Sequence, residues 1–248
     1  MIKAIRRFYN YYLSPEKDFV RRLRRLLGFT PAYLSLFKLA FQHKSNNHEN
    51  GLKHPHYGGQ NNERLEYLGD AVLGTIVAEY LYKKYPTGDE GFLTKMRSKI
   101  VKRKSLNEIG YNMGLDEILS TYNNIRIAKS MLGNAVEALV GAVYVEQGYV
   151  KTTRFVVRRM LKNYVDVEGL ETYDDNYKSQ LLEHCQKNGQ KVDYTIVKRF
   201  KQDKRDKFKV AVMVNGQRLA YGEDFNKKSA EQIASRRALQ GMGLKISK

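Results

Sequence analysis

The sequence predicts two domains, an all-α domain followed by a small α+β domain of order α-β-β-β-α. Three observations carry this. Apolar residues recur at spacings of three and four across most of residues 65–165, with no sustained alternation of strand type. Around Asn215–Gly216 the period changes to two. Between these regimes lies an acidic stretch, DVEGLETYDD at Asp166–Asp175, with the composition of a linker. The expected division is a basic extension at 1–28, a helical domain at 29–165, a linker at 166–175 and a second domain at 176–244.

The elements follow in order. Residues 46–62, NNHENGLKHPHYGGQNN, are polar and rich in Gly and Asn, the grammar of a loop. Leu65, Leu68, Val72, Ile76 and Tyr80 then mark one long helix, closed by Pro86 and Gly88. Helical patterns recur over 91–109, 129–147 and 151–165. In the second domain, Tyr177–Lys187 suits a helix and Val192–Phe200 a strand. Phe208, Val210, Val212 and Val214 alternate within a strand Lys207–Val214. Asn215–Gly216 is a type I′ hairpin signal, Gln217–Gly222 the return strand and Lys227–Leu239 the last helix.

Composition narrows the function. The 248 residues are 42% apolar and 28% charged, enough to bury a core. The formal net charge is +18. It is uneven: residues 1–28 carry +6, residues 29–177 only +2 and residues 178–248 +10. Such asymmetry points to a polyanionic partner. One cysteine, Cys185, excludes an intrachain disulfide and a cysteine-based zinc site. No apolar run approaches the ~20 residues of a membrane span, and Met1–Phe8 is basic without a signal-type apolar core, so no membrane association and a reducing, cytoplasmic location are expected.

The chemistry-bearing segment is Asn61–Gly74, NNERLEYLGDAVLG. Glu63, Glu66 and Asp70, at i, i+3 and i+7, share one helix face bordered by apolar residues. Stacked carboxylates repel, and a hard divalent cation such as Mg²⁺ or Mn²⁺ relieves this. The same spacing also suits a solvated acidic stripe neutralised by Arg64 or Arg97. Glu137, in the apolar stretch GNAVEALVGAVY with Asn134 one turn before it, is an acid that needs a partner. Facing it onto the first helix would bring Glu66, Asp70 and Glu137 around one cation. Asp89–Glu90 reads equally as ordinary charge at a helix start. No Ser/His/Asp or Cys/His arrangement competes; His54 and His56 flank Pro55 in the loop without a third ligand.

Asn61–Gly74 resembles the signature of the bacterial ribonuclease III family, ERLEFLGDAVL, with Tyr67 as the one departure. Asp89–Val101 (DEGFLTKMRSKIV), Asn134–Tyr144 and His43-Lys44-Ser45 resemble further blocks of that family in the same order. Residues 178–239 are similar to its double-stranded-RNA-binding domain. The resemblance implies a homodimeric endonuclease that hydrolyses duplex RNA with Mg²⁺, or Mn²⁺ in its place, and uses no nucleotide cofactor. It implies 5′-phosphate and 3′-hydroxyl ends with two-nucleotide 3′ overhangs, and a role in processing ribosomal and other RNA precursors. Glu66, Asp70 and Glu137 match metal ligands. Asp70 and Glu137 are expected in catalysis, with Glu63 and Glu90 bordering the cleavage site. Asn134 stands where aspartate is usual; its amide oxygen can still coordinate a cation but brings no charge.

The basic tail has elements suited to A-form RNA, which is read largely by shape. Lys227 and Lys228 open a helix after Asn226, and the resemblance gives them phosphate contacts. It gives Ser179 and Glu183 minor-groove contacts; Leu182 replaces a common glutamine, and KQDKRDK at 201–207 replaces a Gly-Pro-x-His loop. The competing readings are a duplex-RNA-binding protein without cleavage, suggested by Asn134, and a nucleotide phosphohydrolase, which the basic tail disfavours. One carboxylate constellation per chain, against two antiparallel strands to cut, calls for a two-fold dimer.

Overall fold

The computed structural model describes residues 1–43, 61–122, 128–172 and 175–244. Most of the expected 46–62 loop, with His54 and His56, lies outside the described residues, as do Lys44 and Ser45. The chain divides into two compact units, Met1–Val167 and Glu168–Lys248.

The first unit contains α1 (Ile2–Tyr12), α2 (Lys17–Leu27), α3 (Leu34–Ala40), α4 (Glu63–Lys84), α5 (Glu90–Val101), α6 (Arg103–Asn112), α7 (Leu115–Tyr122), α8 (Lys129–Gln147), α9 (Tyr149–Phe155), a π-helical turn Val156–Leu161 and α10 (Lys162–Tyr164). Among its described residues there is no strand. The apolar pattern over 91–109 is two helices, because Lys102 adopts an extended ψ of 144° between α5 and α6. A period of ~3.6 survives one extended residue and so does not reveal it. Asp89 caps α5, its Oδ1 accepting from Phe92 N at 2.7 Å.

α8 forms the axis of the unit. Ala135, Ala138, Leu139, Val140, Ala142 and Val143 are wholly buried, so the helix is apolar on nearly every side, as a central helix must be. Against it α4 buries Leu73, Ile76, Val77 and Leu81.

Residues 1–28 are packed into this unit. Val20, Leu23 and Leu27 form a buried stripe on α2. α1 docks through its polar side. Asn10 Nδ2 donates to the carbonyls of Pro31 (2.9 Å) and Ala32 (3.2 Å). The buried carboxylate of Glu146 accepts from the backbone N–H groups of Ala32 and Tyr33 at 3.1 Å and meets Arg7 at 3.5 Å. Lys3 Nζ donates to the Glu146 carbonyl at 2.8 Å. The opposite side of α1, with Ile2, Ile5, Phe8 and Tyr12, is exposed.

The second unit contains α11 (Gly169–Thr172), α12 (Tyr177–Lys187), β1 (Val192–Gln202), β2 (Arg205–Val214), β3 (Gln217–Asp224) and α13 (Lys227–Gly241). The strands form one antiparallel sheet in the order β1-β2-β3. Leu181 and Cys185 of α12, Val212 and Val214 of β2, and Ala234, Ala238 and Leu239 of α13 make its core. Asn215 and Gly216 sit at φ 50° and 79°, as a type I′ turn requires. The segment read as a loop at 201–207 is instead strand at both ends. Gln202 pairs with Arg205, and only Asp203 and Lys204, at φ 51° and 62°, make the turn. This extension carries charge on both faces, so no alternation marked it.

Truncating Glu146 to Ala would leave the buried N–H of Ala32, the half-buried N–H of Tyr33 and Arg7 without their acceptor. We expect a loss of about 3–5 kcal/mol in urea unfolding, the usual cost of removing one partner of a buried ion pair. Glu146→Gln, which keeps one acceptor, should lose less.

Candidate functional site

α4 and α8 approach backbone to backbone, and two glycines permit it. A Cβ on Gly69 would lie 1.7 Å from the Glu137 carbonyl oxygen. One on Gly141 would lie 2.3 Å from that of Leu65. The backbones therefore touch reciprocally, with each glycine opposite the other's helix. Glu66 and Asp70 flank Gly69, and Glu137 lies one turn before Gly141, so the contact sets these three carboxylates beside one another.

Electrostatics registers the result. The Glu137 carboxyl is raised from 4.5 to about 7, first by burial, then by the negative charges of Asp70 and Glu66, with Arg103 opposing. Glu66 and Glu137 are half-buried and Asp70 is exposed, so the group borders solvent. Asn134, half-buried one turn N-terminal to Glu137, makes no side-chain hydrogen bond among the described residues. Three carboxylates and an amide oxygen are a hard-oxygen donor set that fits Mg²⁺ or Mn²⁺. As the side chains stand, no three His, Cys, Asp or Glu among the described residues are spaced to hold an ion.

Glu63 and Glu90 are placed differently. They are the first residues of α4 and α5, both exposed, and Glu90 accepts from Thr94 Oγ1 at 3.1 Å. Neither is among the groups that shift Glu137.

Two supporting residues escaped the sequence reading. Arg103 opens α6 and lowers the cost of charging Glu137. Asn107 Oδ1 accepts from Gly133 N at 2.8 Å, tying the start of α8 to α6. A basic and an amide residue in an amphipathic helix carry no signal of their targets.

In the second unit Asn226 Oδ1 accepts from Lys228 N at 2.8 Å, which caps α13 and presents Lys227 and Lys228 exposed at its start. Lys227 Nζ stands 3.9 Å from Glu231, whose other oxygen accepts from Lys178 at 2.6 Å. Lys228 has no ion pair among the described residues. Ser179 lies in the first turn of α12, where its Oγ accepts from Asn176 Nδ2 at 2.8 Å; its own O–H remains free to donate. Glu183 follows one turn later and is exposed.

Gly69→Ala should drive α4 and α8 apart. We expect a stability loss of about 1–3 kcal/mol from overpacking. Displacing the carboxylates by ~1 Å should cost ~100-fold in turnover. The raised Glu137 pKa has its own consequence. A raised carboxyl contributes stability that is complete below about pH 4.5 and is lost as pH rises through about 7. In chelator, the melting temperature of the wild type should therefore fall more steeply over that window than that of Glu137→Gln, and the variant should be the more stable at pH 8. Parallel profiles would show that Glu137 is not strained by its neighbours.

Known proteins resemble both units of the chain. A Ribonuclease-III-like family model matches residues 34–164, and a double-stranded RNA binding motif matches residues 177–242. Ribonuclease 3 of Zunongwangia profunda is 40% identical over 99% of this chain and 100% of its own length. Ribonuclease 3 of Flavobacterium psychrophilum is 40% identical over 90% of each chain. The nuclease domain of ribonuclease III from Campylobacter jejuni is 30% identical, covering 58% of this chain and 98% of its own, with a TM-score of 0.49. With a family model spanning more than half its length and relatives at 40% identity over 90% or more of the chain, the chain belongs to the ribonuclease III family.

Proposed function

We propose that this protein is an endoribonuclease that hydrolyses double-stranded RNA with a divalent cation, acting as a homodimer in a reducing cytoplasm. The observation that carries the proposal is the α4–α8 contact, which sets Glu137 beside Asp70 and Glu66, where burial first and their negative charges second make it resist ionisation. Carboxylates forced together at a solvent border suit the capture of a cation and ill suit any purely structural role.

Glu66, Asp70 and Glu137 would hold Mg²⁺, with the Asn134 amide oxygen as an uncharged fourth donor. Bound there, the cation would activate water and neutralise charge developing on the scissile phosphodiester. Glu137, half-ionised near neutral pH without it, would release its proton on binding. Arg103 favours the charged form of Glu137. Glu63 and Glu90, exposed at two helix starts, would border the RNA without joining the ligand set. A two-fold dimer would present one such set to each strand. The second unit would supply affinity: Lys227 and Lys228 at the start of α13 to phosphates, Ser179 and Glu183 on α12 to 2′-hydroxyls. Products would be 5′-phosphate and 3′-hydroxyl ends with two-nucleotide overhangs, from ribosomal and other precursors. Retention of all three charged ligands favours cleavage over a binding-only role.

A labelled RNA hairpin incubated with and without Mg²⁺, with ends mapped, tests the reading. Asp70→Ala should abolish cleavage and leave duplex binding nearly intact. Lys227→Ala with Lys228→Ala should reduce the slope of log affinity against log salt by roughly one to two. Normal turnover by the Asp70 variant would refute the metal site.

A further inference from the structure

We propose a second anion site in the first unit, a cationic cleft that takes two adjacent phosphate groups. The cleft encloses about 330 Å³ where the end of α2 meets the end of α8 and the π-helical turn. Arg7, Lys151, Arg154, Arg158 and Arg159 line it, with Phe29 in the wall, and no carboxylate lines it. It lies beyond the C-terminus of α8, whereas Glu137 is ten residues, or ~15 Å, back along that helix. It is therefore separate from the carboxylate site.

The local backbone explains the convergence. In a regular α-helix, positions 154 and 159 point ~140° apart. Arg154, in the last turn of α9, and Arg158 share a face at i, i+4, and the i→i+5 register of the π turn at Val156–Leu161 turns Arg159 toward that face, so all three reach the cleft. Such turns are a recurrent device of functional sites.

Charge accounting is lopsided. Two arginines of α2 have acids to face, Arg21 with Asp18 and Arg22 with Glu117, and Arg6 and Arg24 stand over Tyr33 and Tyr11. Arg154, Arg158 and Arg159 have no carboxylate partner among the described residues. Glu146, the acid at the end of α8, is saturated by Ala32, Tyr33, Arg7 and Gln147, with its side chain 0% exposed. The Nε of Arg7 is buried without an acceptor among the described residues. The guanidinium of Arg159 lies against Gly28, so only the C-terminal end of α2 offers it partial negative charge. Arg7 already has Glu146, which leaves four lining cations without an acid, Lys151, Arg154, Arg158 and Arg159; one phosphodiester at about −1, or one phosphomonoester at roughly −1.5 to −2, would leave at least half of that charge uncompensated. Two adjacent phosphates match them, and guanidinium forks grip phosphate oxygens in pairs. The source is either consecutive phosphodiesters of an RNA strand or a small diphosphate.

Two measurements separate these sources, using Arg154→Gln with Arg158→Gln in the full chain. The first is the melting temperature with pyrophosphate, against sulfate at matched ionic strength. The second is the salt slope of RNA-hairpin binding in chelator. We expect pyrophosphate to raise the wild-type melting temperature by at least ~3 °C, and the double variant to lose that rise. If the RNA slope is unchanged, the ligand is the small diphosphate. A slope reduced by roughly two, with or without a pyrophosphate response, assigns RNA. The unliganded melting temperature checks folding, and Arg154→Lys with Arg158→Lys keeps the charge should the Gln pair fold poorly. Lys201→Gln with Lys204→Gln removes the same charge from the second unit and should leave the pyrophosphate response intact. A response abolished equally by that control, or a double variant unchanged in both measurements, would overturn the proposal.

Discussion

The reciprocal contact between Gly69 and Gly141 is the constraint on which the site depends. Two helices normally stand ~8–10 Å apart, held off by their side chains. Here each helix presents bare backbone where the other's carbonyl arrives. That approach decides where Glu66, Asp70 and Glu137 sit, because each lies within one turn of a contact glycine. Repulsion among the acids opposes the approach, and burial of Leu73, Ile76, Val77 and the small apolar residues of α8 outweighs it. The core thus holds the carboxylates at a spacing they would not adopt in a free peptide.

At the other end of α8 the electrostatics is opposite in sign. Glu146 is a single buried charge surrounded by donors from α1, from the segment before α3 and from its neighbour Gln147. Around that pinned end stand arginines with no acid to meet. A nearly neutral stretch in the count over 29–177 therefore conceals a negative pole at Glu137 and a positive one beyond Gln147. α1 is attached by this polar network and turns its apolar side outward, the reverse of an ordinary surface helix.

Much of this was legible in residue order. The change of period at the domain junction, the Asn215–Gly216 turn, and the acids at i, i+3 and i+7 all follow from local rules that tertiary packing did not override. The facing of Glu137 onto α4 was legible too, because an acid in an apolar helix has few other solutions. Local rules failed where the signal is local but the outcome is not. Lys102 breaks a helix without altering its period, and the β1–β2 arm extends through residues charged on both faces.

Sequence alone determined the helical character of the first unit, the α-β-β-β-α order of the second and the chemical class of the donors. Only tertiary structure decided that Gly69 and Gly141 meet, that Glu146 binds the backbone before α3, and that a π turn after α9 brings Arg159 to the face of Arg154 and Arg158. The physical reason is range. Periodicity and capping are set by neighbours three or four residues away, whereas a carboxyl raised to about 7 is set first by its burial in the packed core and then by charges some seventy residues distant in the chain, which only that core brings within Coulomb reach.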